Sequence, residues 1–218
     1  MYANGRGVAK DEREAFRWYQ LAAAQGYADA QYNLGVMYAN GRGVAKNERE
    51  AVRWYQLAAA QGDAGAQYNL GVMYADGRGV AKDEREAVRL YHLAAAQGYA
   101  DAQFNLGVVY RDGLGVAKDE REAVRWYQLA AAQGDAGAQF NLGVMYANGR
   151  GVAKDEREAV RWYQLAATQG HAGGQCGLGY MYETGRGVAK DEREAVKWYQ
   201  LAAAQGEAYA QEALKRLG

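Results

Sequence analysis

The triplet Gly5-Arg6-Gly7 returns at Gly41, Gly77, Gly113, Gly149 and Gly185, each time 36 residues further on. No other feature restricts the fold as strongly, because self-similarity at a period of about 20–50 residues is the mark of a stacked array. The middle residue is Arg in five copies and Leu114 in the fourth. The copies agree at surface positions as well as apolar ones, a pattern expected equally of recent duplication and of consensus design. One copy alone has too little apolar surface to be stable, so neighbours must stack to build a continuous core.

The copy from Asp63 to Gly98 serves as the template. Ala66, Leu70, Gly71 and Tyr74 follow one another at i, i+4, i+5 and i+8, which places them on one helical face. Asp63 follows Gly62 and suits an N-cap, so a first helix (helix A) is expected over about 64–75. Asp76-Gly77-Arg78-Gly79 then breaks the pattern, its glycines permitting the positive φ of a tight reversal. Asp83 followed by Glu86 is a capping-box variant. Ala87, Leu90, Tyr91, Ala94 and Ala95 fall at i, i+3, i+4, i+7 and i+8, giving a second helix (helix B) over about 84–97, closed by Gly98. Gly71, Ala94 and Ala95 are the expected close-contact positions. Trp18, Trp54, Trp126, Trp162 and Trp198 share one position, filled by Leu90 in the remaining copy, and an aromatic stripe at this spacing is expected in the core.

Composition supports an all-α chain. There is no Pro in 218 residues, and Pro is the residue that helices tolerate least. Lys and Arg total 26, as do Asp and Glu, so the basic excess of a nucleic-acid binder is absent. No apolar run is long enough to span a membrane, which excludes membrane insertion by a helix, and no signal-peptide pattern opens the chain. The compartment is left open between cytoplasm and bacterial periplasm.

The string Ala66-Gln67-Tyr68-Asn69-Leu70-Gly71-Val72-Met73-Tyr74, with Gly77-Arg78-Gly79-Val80, Asp83, Ala87, Ala94-Ala95-Ala96-Gln97-Gly98 and the Trp54-Tyr55 pair, resembles the Sel-one-like repeat (SLR) family, a longer cousin of the tetratricopeptide repeat. The resemblance covers essentially the whole chain. It implies a right-handed α/α superhelix, a solenoid of 36-residue helix-turn-helix repeats with helix A lining a concave surface. It also implies adaptor or scaffold duty in multiprotein complexes, often in bacterial envelope, signalling or secretory settings. A single solenoid domain over 1–218 is expected. It would hold a truncated first repeat (1–26), full repeats at 27–62, 63–98, 99–134, 135–170 and 171–206, and a capping helix at 207–218. Met1-Tyr2 aligns with Met37-Tyr38, so the first helix A is largely missing. Met1 then reads as an internal methionine of a longer protein or as an introduced boundary. Lys215 stands where the template has Gly71, as a polar capping face requires.

Catalysis finds little footing. Some cysteine-rich relatives of the family are linked to β-lactam binding or hydrolysis, which needs a nucleophile such as the Ser of an S-x-x-K motif. This chain has no Ser, and its one Cys, Cys176, has only His171 or His92 as potential bases. No catalytic residue is assigned. Two His and one Cys spread over two repeats do not match zinc spacing, so neither a metal nor a cofactor is expected. The glycine loops read as turns rather than phosphate cradles, since Val-Ala-Lys separates each from its helix.

Binding is the leading reading, with a protein or an extended peptide as partner. If Leu70, Gly71 and Tyr74 form the core face of helix A, then Gly65, Tyr68, Asn69, Val72 and Asp76 lie towards the concave side. Along the array this side carries Asn33, Asn69, Asn105 and Asn141, then Gly177. Its aromatic position holds Tyr32, Tyr68, Phe104 and Phe140, then Cys176. Its apolar position holds Val36, Val72, Val108 and Val144, then Tyr180. In tetratricopeptide relatives the matching Asn holds a peptide's backbone or carboxylate, a task suited to an amide that both donates and accepts. The rival reading is a structural spacer or a self-associating scaffold without a groove ligand. Self-association would use the N-terminal edge, where Phe16, Trp18 and Tyr19 have lost their helix A partner.

Overall fold

The computed structural model describes residues 11–217; Met1-Tyr2 and the first triplet, Gly5-Arg6-Gly7, lie outside the described residues. Twelve helices and no strand occur among the described residues: α1 (Glu12–Ala24), α2 (Ala28–Asn40), α3 (Glu48–Ala60), α4 (Ala64–Asp76), α5 (Glu84–Ala96), α6 (Ala100–Asp112), α7 (Glu120–Ala132), α8 (Ala136–Asn148), α9 (Glu156–Thr168), α10 (Ala172–Thr184), α11 (Glu192–Ala204) and α12 (Ala208–Leu217). Even-numbered helices are helix A and odd-numbered ones helix B. The template pair, α4 and α5, matches the sequence expectation to within one residue at each end.

The caps explain where helices start and stop. The Asp63 carboxylate accepts from the Ala66 amide at 2.6 Å, and Asp83 accepts from the Arg85 and Glu86 amides at 3.0 Å each. These bonds satisfy backbone donors that the first turn would leave orphaned. Helix A ends on a left-handed glycine: Gly77 has φ 71° and its amide bonds the Met73 carbonyl. The next glycine of the triplet does different work. A Cβ on Gly79 would run into the carbonyl of Glu48, the first residue of α3 one repeat earlier. The loop therefore lies directly on its neighbour, and Arg78 Nε donates to the Glu48 carboxylate at 3.0 Å.

Two compact units make up the chain: residues through Ala102 with Leu114–Val116, and Gln103–Gly113 with the residues from Ala117 onward. In the first unit, one core gathers Ala51, Val52, Tyr55, Ala58, Ala66, Leu70, Met73 and Leu90, and a smaller one gathers Ala23, Ala30 and Leu34. The second unit holds three further clusters, around Tyr127 and Leu142, around Tyr163 and Leu178, and around Tyr199 and Ala210.

The helix B aromatics need a correction. Trp54, Trp126, Trp162 and Trp198 are only half-buried and Trp18 is 55% exposed. The neighbouring Tyr is the buried member: Tyr55, Tyr91, Tyr127, Tyr163 and Tyr199 are each 0–7% exposed. Each of these rings lies flat against the helix A glycine of its own pair. A Cβ on Gly71 would come within 2.7 Å of Tyr91 Cε1, and one on Gly179 within 2.8 Å of Tyr199 Cδ1. The Trp instead packs at the edge of the cluster that its own helix A forms with the preceding helix B, as Trp54 does on Ala23 and Leu34 and Trp198 on Tyr163 and Leu178.

A buried amide ladder, unforeseen from sequence, links successive repeats. Gln31, Gln67, Gln103, Gln139 and Gln175 are the buried polar side chains among the described residues, at 4–5% exposure. Gln139 Nε2 donates to the Ala131 carbonyl of α7 at 3.3 Å. Its Oε1 accepts at 2.8 Å from Gln169, which ends helix B of its own pair. The same bridge joins Gln31 to Gln61 and Gln67 to Gln97 in the first unit, and Gln103 to Gln133 and Gln175 to Gln205 in the second. Gln139→Met should strand the Gln169 donor and the Ala131 carbonyl and cost about 1–3 kcal/mol in urea unfolding. Gln211→Met, at the exposed end of the series, should stay within about 0.5 kcal/mol of the parent.

Candidate binding face

The residues expected to face a partner are all half-buried: Tyr32, Asn33, Val36, Tyr68, Asn69 and Val72 in the first unit, and Phe104, Asn105, Val108, Phe140, Asn141, Val144 and Tyr180 in the second. They lie beside the buried Gln, Leu and Gly of helix A, so each presents an edge while another part packs inward. Much of the inward contact is with helix B of the same repeat. Tyr32 meets Tyr55 with ring centroids 6.1 Å apart, Tyr68 meets Tyr91 at 6.0 Å, Phe104 meets Tyr127 at 6.0 Å and Phe140 meets Tyr163 at 6.0 Å. Each pair is tilted, with its centroids within the range of about 4.5–7 Å over which aromatic rings attract. The same rings also reach the next repeat, Tyr68 meeting Tyr99 at 5.2 Å and Phe140 meeting His171 at 4.9 Å, so the aromatic position wedges successive pairs together as well as lining the face.

The Asn position is also partly engaged within the chain. Asn33 Nδ2 donates to the Asp29 carbonyl at 2.6 Å and Asn141 Nδ2 to the Gly137 carbonyl at 2.9 Å, one turn back on the same helix. Asn141 Oδ1 further accepts from Arg111 at 2.9 Å. Each amide nitrogen has two hydrogens, so one of them is committed in Asn33 and in Asn141.

The second unit carries a cavity of about 400 Å³ on the helix A side of α8 and α10. Phe140, Val144 and Ala147 of α8 form one wall, Cys176, Gly177 and Tyr180 of α10 another, and Tyr163 of α9 the floor, with Glu207 and Tyr209 at the start of α12. Of the residues chosen from sequence, Phe140, Val144 and Tyr180 meet here. Sequence reasoning passed over Arg186, Glu207 and Tyr209, although the last two depart from the residues at their positions in every other copy.

The chemistry of this region does not favour a nucleophile. Burial pushes the Cys176 thiol up to about 11, so it stays protonated and unreactive near neutral pH. His171 is the N-cap of α10: its Nδ1 accepts from the Gly174 amide at 3.1 Å, and its ring stacks on Phe140 at 4.9 Å. Among the described residues no group of three or more His, Cys, Asp and Glu could hold a metal ion, and no helix is long and apolar enough to cross a membrane.

Pairs of 13-residue helices at a 36-residue period, the left-handed glycine after helix A and the Gly–Tyr contact inside each pair form one repeat type. The Sel1 repeat model matches residues 1–27, 28–63, 64–99, 100–135, 136–171 and 172–207. The chain belongs to the Sel1 repeat family. A crystal structure of c5321, a protective antigen present in uropathogenic Escherichia coli strains and displaying an SLR fold, is similar at 41% identity and a TM-score of 0.93. The match covers 98% of this chain and 46% of that one, so the present chain spans less than half the length of that relative. A Sel1 repeat protein from Oxalobacter formigenes is similar at 38% identity and a TM-score of 0.83, over 88% of this chain and 76% of that one. No curated protein matches the chain. The fold is thus the all-α repeat solenoid of the Sel1 family, whose members generally mediate protein–protein interaction and are typically non-enzymatic scaffolds.

The His171 cap makes a pH prediction. Burial lowers its pKa from the ordinary 6.5, against the opposing pull of Asp135 and Glu207. Protonation would abolish the accepting nitrogen, so the unfolded chain binds the proton more readily than the folded one. Stability is then fully present above the ordinary value and is lost as pH falls below it. In unfolding measured between about pH 7 and pH 5, the parent should lose more stability than His171→Asn, which keeps an accepting atom at the cap.

Proposed function

We propose that the chain is a protein-interaction module that receives a partner protein or extended peptide on its helix A face. The observation that carries this reading is the cavity beside α8 and α10, where aromatic and apolar side chains are left accessible on that side of the Sel1 pairs. On this reading Tyr32, Asn33, Val36, Tyr68, Asn69 and Val72 contribute in the first unit. In the second, Phe104, Asn105, Val108, Phe140, Asn141, Val144 and Tyr180 contribute. The amides provide polar contacts and the rings an apolar wall. One hydrogen bond adds only about 0.5–1.5 kcal/mol, so affinity would accumulate over several repeats. Catalysis has no role in it.

A second reading, a self-associating scaffold, is favoured by Trp18, Leu21 and Tyr27, which are 55%, 58% and 61% exposed. One set of variants separates the two. Asn69, Asn105 and Asn141 are changed together to Ala, and Arg53, Arg89 and Arg125, exposed on helix B, form the control set. Proteins retained by the immobilised chain are identified by mass spectrometry, alongside melting temperature and sedimentation. The Asn set should lose roughly tenfold or more of the retained partner at an unchanged melting temperature, while the Arg set keeps it. Equal retention by both sets, with a mass that rises with concentration, would favour the scaffold. Collapse of the Asn set's stability would assign those amides to the architecture.

A further inference from the structure

In a chain of near-identical copies, departures from the repeat are informative. Five of them line one cavity. Cys176 stands where Tyr32, Tyr68, Phe104 and Phe140 stand in other repeats, and Gly177 stands where they have Asn. Tyr180 replaces Val. Glu207 takes a cap position held elsewhere by Asp, Tyr or His, and Tyr209 takes one held by Gly or Asp. The first two changes remove a ring and an amide. The other three add two phenols and a longer carboxylate around the space.

The result is an aromatic enclosure. Phe140 and Tyr163 stand 6.0 Å apart between centroids, and Tyr180 and Tyr209 stand 6.3 Å apart in an edge arrangement. The charges nearby are Arg186, Arg216 and Glu207, and two of the three are already matched. Arg186 is held by Glu156 at 2.8 Å and lies over the Tyr180 ring at 5.7 Å. Its equivalents Arg78 and Arg150 make the same bridge to Glu48 and Glu120, so this pair belongs to the repeat. Arg216, which reaches Tyr209, is met by Glu183 at 2.6 Å. The carboxylate of Glu207 is the charge the cavity has left over.

We propose that this cavity receives a cationic side chain, the ammonium of a lysine or the guanidinium of an arginine, from a partner protein. Ring faces carry negative charge and attract a cation placed over them, and an accessible carboxylate at the rim completes the match. A cavity of about 400 Å³ has room for a long basic side chain with its methylene stem against Val144 and Met181. The inference rests on the protein-binding reading of the helix A face but fails separately from it, because capture through the Asn positions does not require the cavity.

The test uses short capped peptides, Gly-Gly-X-Gly-Gly, with X as lysine, arginine, norleucine or glutamate, and butylammonium as a free amine. Each is titrated into the intact chain and followed by the amide NMR signals of residues 173–181 and 207–209. The lysine and arginine peptides should bind saturably, and norleucine about tenfold more weakly. Glu207→Gln should weaken the lysine peptide about tenfold. Cys176→Phe, which returns the repeat's own ring to the space, should remove binding while leaving the melting temperature in place. Equal binding of norleucine would mean an apolar pocket and overturn the proposal. Stronger binding of glutamate would mean that Arg186 governs the site. Tighter binding of butylammonium than of the peptides would assign the site to small amines. Absence of any saturable shift in the folded parent would also refute the proposal.

Discussion

Everything in this chain depends on a flat tyrosine ring meeting a residue with no side chain. Tyr55, Tyr91, Tyr127, Tyr163 and Tyr199 lie against Gly35, Gly71, Gly107, Gly143 and Gly179, where any Cβ would intrude on the ring. The late alanines of helix B, such as Ala94 and Ala95, are buried as well, and their equivalents Ala23 and Ala58 pack on the following helix A. Burial of the ring has an electrostatic consequence: desolvation pushes the Tyr127 and Tyr163 hydroxyls up to about 12. These phenols are neutral packing elements across the physiological range.

Polar contacts then set the register between pairs. The Gln of each helix A donates to a carbonyl of the preceding helix B and accepts from the Gln that ends its own helix B, so one buried amide ties two pairs together. On the loop side, the Glu that opens helix B is held by Lys and Arg: Lys46 and Arg78 on Glu48, Lys154 and Arg186 on Glu156. These carboxylates sit below the usual range because of those hydrogen bonds. They remain partly exposed, so they orient the loop more than they stabilise it. With the scaffold held in this way, individual positions on the helix A side can change, and Cys176, Gly177 and Tyr180 are such changes.

The period, the caps and the pairing of helices were legible in the sequence because each leaves a local mark. Asp63 and Asp83 sit one residue before their helices, and Gly77 sits one residue after. Which aromatic is buried was not legible. Trp54 and Tyr55 are adjacent, both fit a helical stripe, and size favours the Trp. The choice is made by Gly71 and its equivalents, which admit a flat ring at close range, and that pairing is tertiary. The buried Gln was hidden for a similar reason: an amide in a helix reads as a surface residue unless its partner 30 residues away is known. Of the candidate face, the positions on helix A were readable. The cavity was not, because it depends on Glu207 and Tyr209 at the start of α12 closing over a gap left by Cys176.

The central claim is that the pair contact requires glycine, and the sign of one stability change tests it. Gly→Ala inside a helix normally stabilises by roughly 0.5–1 kcal/mol, through backbone entropy alone. Gly71 lies in the interior of α4 with ordinary helical backbone, so nothing local opposes the change. The measurement is urea unfolding of Gly71→Ala against the parent. If the Tyr91 ring must lie where the new methyl would go, the variant loses about 1–3 kcal/mol despite its better helix propensity. A gain in stability would contradict the account.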